Sequence, residues 1–286
     1  MPTPADASTP DTDAQRHQWD RVAAGWKKWW DTIEQASHRV SVRMLELACV
    51  SPGQRVLDIA TGLGEPALLA ARRVAPGGQV VGTDLSPQML AIARERAATS
   101  GLNNVDFIEA DAAQLNRPAA SFDAVLCRWG ITSLPNPFDT MLAVRRLLAP
   151  HGAFVTAVWE AGPTGRPLAS IATGLAHEMF GEPTSRVDTP AAPKSVQQGL
   201  ADDLRRAGFS DVRTESMTVT MTWNSADDCV QYLLDVSLDL ADVLSGQSSA
   251  QHADYRQRLA ARLQQYVAAD GSVCIPNITI CGVARS

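Results

Sequence analysis

Between Arg55 and Trp159 short apolar runs alternate with amphipathic ones, and this rhythm constrains the fold more than any other feature of the chain. The strand candidates are Arg55–Ala60, Gln79–Asp84, Val105–Ala110, Ala124–Arg128 and Ala153–Trp159, with helical patterns over Pro66–Val74, Pro87–Ala98 and Phe138–Leu148. Strands this apolar are buried on both faces, which predicts a mostly parallel sheet with helices on either side. Gly77-Gly78 and Pro150-His151-Gly152 supply turns at the right places. Beyond Trp159 the rhythm breaks. An amphipathic stretch (Leu168–Phe180), a helix (Val196–Ala207) closed by Gly208, and an alternating strand (Val212–Trp223) come next. Helical patterns over Ala226–Leu244 and Ala250–Ala268 then lead to a last strand, Val273–Val283. Ahead of the sheet, Trp19, Val22, Trp26, Trp29, Trp30 and Ile33 recur at helical spacing as an aromatic stripe. Ser37 is the expected N-cap of a second helix carrying Val40, Met44, Leu45 and Leu47.

The chemistry is concentrated at the end of the first strand, in Val56-Leu57-Asp58-Ile59-Ala60-Thr61-Gly62-Leu63-Gly64-Glu65-Pro66. An apolar strand runs into a glycine turn and then a proline, whose fixed φ suits a helix start. Glycine admits positive φ and close approach of a ligand to the backbone. The same residues satisfy a dinucleotide pattern, with Asp84 some 20 residues on to meet a ribose. Three features favour S-adenosylmethionine (SAM) over NAD. Glu65 stands at the helix N-terminus, where it would repel a pyrophosphate. A Trp-bearing helical segment of roughly fifty residues comes before the nucleotide strand. Asp111 ends the third strand, placed to accept from an adenine amino group, and Asp58 could attract an ammonium. A nicotinamide oxidoreductase remains the alternative, together with a SAM-binding protein repurposed away from methyl transfer.

Asp58-x-Ala60-x-Gly62-x-Gly64 followed by Val80-Val81-Gly82-Thr83-Asp84-Leu85-Ser86-Pro87-Gln88-Met89-Leu90 resembles motifs I and II of class I SAM-dependent methyltransferases. It is similar to the branch holding the ubiquinone/menaquinone C-methyltransferases and small-molecule methyltransferases of biosynthetic pathways. Phe107–Ala112 and Phe122–Gly130 resemble that family's next two strand ends. The resemblance implies a Rossmann-like α/β fold with a seven-stranded, mostly parallel sheet and a reversed last strand. It implies that Thr61, Gly62 and Gly64 cradle the methionine moiety and Asp84 takes the ribose hydroxyls. Leu85 and Met89 would then pack beside the adenine, Asp111 and the neighbouring Ala112 would hold it, and the Cys127 backbone would meet the ammonium. At Ala60 the family more often has glycine; alanine is expected there in an ordinary backbone conformation.

The expected organisation is a disordered leader (1–14), a helical cap (15–50), a SAM-binding core (51–159) and the rest of the sheet (160–286), with lid insertions at about 160–194 and 224–270. One or two of Trp26, Trp29 and Trp30 are expected to line the site, Trp29 towards the cofactor and Trp26 and Trp30 towards the acceptor. Trp129, Tyr232 and Asp235 are further acceptor candidates. His177 on the first insertion is the candidate base for a hydroxyl acceptor. A net charge of −6 without a dense basic cluster argues against nucleic acid as the main partner. No apolar run approaches a membrane span, and the five dispersed cysteines and five histidines show no metal-ligand spacing. The reading is therefore a cytoplasmic enzyme, open to homodimer formation, moving a methyl group to carbon, nitrogen or oxygen of a small, flat, hydrophobic or aromatic acceptor, an indole-like one among them, without a metal.

Overall fold

The computed structural model describes residues 12–181 and 195–286. Two helices, α1 (Thr12–Lys28) and α2 (Trp30–Leu47), precede the sheet. The alternating region runs β1 (Arg55–Ile59), α3 (Ala67–Val74), β2 (Gln79–Asp84), α4 (Pro87–Thr99), β3 (Val105–Glu109), β4 (Phe122–Arg128), α5 (Pro137–Leu147) and β5 (Leu148–Trp159). A first helical group, α6 (Gly162–Gly165), α7 (Pro167–Phe180) and α8 (Val196–Arg206), leads to β6 (Ser210–Trp223). A second, α9 (Ala226–Val236), α10 (Leu238–Leu244) and α11 (Ser249–Leu263), separates β6 from β7 (Val273–Arg285).

The seven strands lie in the order β3-β2-β1-β4-β5-β7-β6. β1 to β5 are parallel, and β7 runs antiparallel to both β5 and β6. Strand order reverses between β1 and β4, and an open α/β sheet binds ligands at the carboxyl ends of such a pair. The side-chain alternation of the strands divides the core. Val56, Leu126 and Val155 pack with Leu68 and Leu90 on one face, while Leu57, Val125 and Phe154 pack with Val144 and Leu204 on the other. Each fully buried aliphatic side chain contributes roughly 1.5–3 kcal/mol, so the central strands are the rigid base for whatever their ends carry. A third apolar cluster, around Tyr255, Leu175, Leu233 and Leu259, joins α7, α9, α10 and α11 into one packed group.

Four expectations are corrected. Helix α1 begins at Thr12, so the last residues assigned to a leader are helical; residues 1–11 lie outside those described, as do the final residues, 182–194, of the first insertion. Ser37 does not cap α2. It is buried in the helix interior and its hydroxyl donates to the Ile33 carbonyl at 2.7 Å, the back-bonding open to a serine with no free helix end beside it. The pattern read as one helix over Ala226–Leu244 breaks at Ser237, whose Oγ accepts from Leu240 N at 3.3 Å and starts α10. Ala60 sits at φ +52°, in the left-handed region where an alanine is strained by about 1 kcal/mol. The same tight exit from the sheet explains it: a Cβ on Gly130 would lie 2.3 Å from that of Ala60, so the turns after β1 and β4 touch.

Candidate functional site

A cleft of about 880 Å³, part of it open to solvent, lies over the carboxyl ends of β1, β2 and β4. Its floor is the glycine turn, Ile59 to Leu63, and its sides carry Asp84, Leu85, Met89, Ala110 and Ala112. Helix α1 crosses above it, contributing Gln15, Trp19 and Trp26, with Trp30 of α2 alongside. Arg128, Trp129 and Gly130 close the far end.

The turn is built by its own hydrogen bonds. Asp58, the fourth residue of β1, is fully buried; its Oδ2 accepts from Thr61 Oγ1 at 2.6 Å and from Ala67 N at 3.0 Å. Gly62 has φ +53°, and a Cβ there would meet no atom within 4 Å, so its outer side faces open space. The Gly62 N–H donates to Asp84 Oδ2 at 2.8 Å, and Asp84 Oδ1 accepts from Ser86 N at 2.9 Å. Each carboxylate oxygen of Asp84 thus keeps a lone pair for a further donor. Ser86 caps α4 through Met89 N at 3.1 Å and donates to Asp20 Oδ1 at 2.5 Å, which fastens α1 across the cleft. The side chain of Gln15 is fastened likewise, donating to the Ser133 carbonyl.

Burial dominates the electrostatics. It pushes the Asp58 carboxyl up to about 7 against the hydrogen bond from Thr61 and the charge of Arg128. It also raises Asp84, against the backbone N–H groups that the carboxylate accepts. Glu65 is raised by burial and by Glu34, although Arg96 Nη2 donates to its Oε1 at 3.3 Å. The Arg96 guanidinium lies 3.5 Å from the centre of the Trp30 ring, occupying one face of that indole.

An expected outcome follows for Asp58. An unfolded aspartate titrates near ~4, so the folded chain holds the extra proton between about pH 4 and 7. That contribution is complete below the lower value and is lost as pH rises through the upper one. Asp58→Asn cannot titrate, so its stability relative to the parent should rise by on the order of 1–3 kcal/mol from pH 4 to pH 8. Thermal melts of both proteins across that range test it; a constant difference would contradict the assignment.

Of the sequence candidates, Thr61, Gly62, Asp84, Leu85, Met89, Ala112, Trp26, Trp30 and Trp129 line the cleft. Gly64 lies beneath the turn at φ +98°, where a Cβ would sit 3.2 Å from Leu68 and Ala93. Asp111 is not a lining residue: its Oδ1 caps the following turn through Ala113 N at 2.9 Å, and its neighbours Ala110 and Ala112 face the cleft instead. Cys127 is sealed in the sheet, its carbonyl accepting from Thr156 Oγ1 at 3.1 Å and its thiol pushed up to about 12 by burial.

Four candidates point elsewhere. Trp29 Nε1 donates to Asp235 Oδ2 at 2.8 Å, and its ring meets Tyr232 edge-on at 5.8 Å. Asp235 also accepts from Lys28 at 2.7 Å and Gln231 at 2.7 Å, so it is a clasp between α9 and the junction of α1 and α2. Burial works against its charge, yet these donors hold it below the usual carboxylate range. Tyr232 packs between Trp29 and Trp223 with its hydroxyl on Met221 Sδ at 3.8 Å. His177 sits in the last turn of α7, outside the cleft lining. Trp19, Glu65 and Arg128 also line it, beyond the candidates that the sequence singles out. The signal for Trp19 was its place on the Trp26 stripe, seven residues before.

A model described as a methyltransferase domain matches residues 56–152, which carry the floor and most of the sides of this cleft. The chain is 39% identical over 138 residues to a demethylmenaquinone methyltransferase of Thermus thermophilus, covering 48% of this chain and 59% of that protein. It is 36% identical over 133 residues to the ubiquinone/menaquinone biosynthesis C-methyltransferase UbiE of Ectopseudomonas oleovorans, covering 46% of this chain and 78% of the relative. This chain belongs to the class I SAM-dependent methyltransferases. It spans little more than half the length of several other curated family members that it matches, 57% and 52% for two UbiE proteins of Ectopseudomonas mendocina and Pseudomonas fluorescens. Among solved structures, the [4+2]-cyclase SpnF shares the fold at a TM-score of 0.62 with 19% identity, covering 97% of both chains. The Haemonchus contortus phosphoethanolamine N-methyltransferase 2, solved with phosphomonomethylethanolamine and S-adenosylhomocysteine (SAH), does so at 0.56 with 20% identity, covering 100% of this chain and 62% of that one. The seven-stranded sheet with its antiparallel β7 is thus the class I methyltransferase fold. Among the described residues no helix is long and apolar enough to cross a membrane.

Proposed function

We propose that the cleft binds SAM and that the chain moves its methyl group to a small, flat, apolar acceptor. The observation that carries this reading is the bond from Gly62 N–H to Asp84. It fastens the turn suited to an amino-acid moiety to the carboxylate suited to ribose hydroxyls, both open to one cleft. The residues fit the group: Gly62 leaves space where a side chain would stand, Asp58 Oδ1 is a buried acceptor with no partner, and Asp84 retains two acceptor positions. Leu85, Met89, Ala110 and Ala112 offer an apolar slot for the adenine. Glu65 lines the cleft just ahead of α3, which disfavours a dinucleotide pyrophosphate there and with it the nicotinamide alternative.

SAM, once bound, supplies a methyl carbon made electrophilic by its positive sulfur. The work left to the chain is to hold the acceptor in line and exclude water, which lowers the barrier by several kcal/mol. Trp19, Trp26 and Trp129 supply flat apolar walls for that purpose. Among the described residues no His, Lys, Tyr or Cys side chain lines the cleft, and its ionisable groups are Glu65, Asp84 and Arg128. The first two are already held by Arg96 and by backbone N–H groups. A site without a free base suits an electron-rich carbon or an unprotonated amine better than an alcohol. The UbiE relatives are C-methyltransferases, which supports the carbon choice.

A second reading is favoured by one finding: SpnF, a [4+2]-cyclase, shares this fold along nearly its whole length. An apolar cleft without a base also suits a protein that binds SAM or SAH and merely encloses its substrate. The deciding experiment is calorimetry with SAM, SAH and NAD, followed by incubation of methyl-labelled SAM with a panel of aromatic metabolites. Binding of the sulfur ligands with transfer of label supports the first reading; binding without transfer to any acceptor supports the second. Binding of NAD alone would overturn both.

A further inference from the structure

Arg128, the last residue of β4, lies between α2 and the cleft with its side chain 7% exposed. A single nitrogen, Nη1, meets all three acceptors that α2 presents: Glu34 Oε2 at 3.2 Å, Ser37 Oγ at 3.1 Å and Ser41 Oγ at 2.7 Å. Those residues follow one another at helical spacing along one face. Nε and Nη2 make no hydrogen bond with any described residue and neither is a fully buried atom, and the side chain they belong to lines the cleft. A guanidinium presents its donors as a planar fork matched to the two oxygens of a carboxylate. Here one edge of the fork is spent on positioning and the other is left over. Arg128 is also the one cation among the described residues lining the cleft.

The charges around it alternate. Asp58, with its unpartnered Oδ1, underlies the glycine turn, and Glu65 lines the cleft beside that turn. Glu65 and one guanidinium lining the same cleft, with Asp58 buried beneath its glycine turn, suit a zwitterion better than a simple anion. Resting on the SAM reading, we propose that Arg128 receives the α-carboxylate of the cofactor's amino-acid moiety, and that Glu34, Ser37 and Ser41 are its positioning residues. Cofactor binding is then linked to the seating of α2. A strut between sheet and helix would need only Nη1, and leaves the other edge of the fork without an acceptor in a side chain that lines the cleft.

The test is calorimetric titration of the full chain with three probes: SAH, its decarboxylated analogue S-adenosyl-3-thiopropylamine, and methylthioadenosine. The parent protein is expected to bind SAH at least tenfold more tightly than the decarboxylated analogue. Arg128→Gln should abolish that preference while binding the decarboxylated analogue as the parent does. Arg128→Lys should retain part of it, and Glu34→Gln should lower it several-fold. Thermal melts verify that each variant is folded, and the lysine variant serves if the glutamine one is not. Equal loss of all three probes in Arg128→Gln, or a preference that survives it, overturns the assignment. So does a parent protein that binds SAH and the decarboxylated analogue equally. A parent that binds none of the probes overturns the SAM reading itself, a result distinct from the loss of carboxylate preference alone.

Discussion

Asp84→Ala should weaken SAH binding by about 1–3 kcal/mol, roughly five- to 150-fold, because it removes charge-assisted hydrogen bonds to ribose. The geometry adds a second loss. Without the carboxylate, the N–H groups of Gly62 and Ser86 have no acceptor, so the glycine turn and the start of α4 lose the tie that sets their spacing. Asp84→Asn separates the two contributions. An asparagine oxygen can still take one of those N–H groups, and its amide nitrogen can take neither. Asn should therefore lose affinity with less loss of melting temperature than Ala. Calorimetry with SAH and a thermal melt on each variant suffice, and unchanged affinity in both variants would remove Asp84 from the binding site.

Gly25→Ala should cost the most stability for the smallest change in side chain. A Cβ at Gly25 would lie 2.0 Å from the carbonyl oxygen of Asp235 and 2.7 Å from its carbon. Both are backbone atoms of α9, which cannot swing aside as a side chain could. Helices α1 and α9 would have to separate, and the separation would break contacts gathered at that crossing. Trp26 Nε1 donates to the Val236 carbonyl at 3.3 Å, and Lys28 and Trp29 both donate to Asp235. The expected loss is about 2–3 kcal/mol, which in a chain of this size lowers the melting temperature by roughly 4–12 °C. SAH affinity should fall as well, since Trp19 and Trp26 on the displaced helix wall the cleft. A variant that melts and binds as the parent does would show that this crossing yields more easily than its backbone contacts indicate.

The sheet was legible because strand and helix write different periods into the chain, and the glycine turn marked the strand end where Asp58 and Asp84 converge. What the sequence left open was direction. Trp26, Trp29 and Trp30 lie within five positions, yet the helix breaks at Trp29 and a new one begins at Trp30, so a single stripe could not tell which ring turns towards α9. Tyr232, Asp235 and His177 lie on inserted helices whose docking faces are set by long-range packing, not by local pattern. Ser37 looked like a cap because serine serves at helix ends; its interior place depends on Arg128, 91 residues away. Ala60 was expected to be relaxed because residue type alone does not reveal where a neighbouring turn forces positive φ. Arg128 itself looked like an ordinary strand end, since nothing local shows which of its nitrogens will be used.

The crossing of α1 over α9 also bears on the order in which the molecule assembles. Trp26 bonds to Val236, Trp29 to Asp235 and Arg21 to Asp242, partners separated by 210, 206 and 221 positions. Closing loops of that length costs entropy that only tertiary contacts repay, so such contacts form late. The central strands draw on much shorter separations and can collapse first. Helix α1 is thus among the last of the described elements to find its seat, and until it does the cleft lacks its roof. A cofactor would meet a finished binding site only at the end of folding, and by favouring that last docking it would act as a selector of completely folded chains.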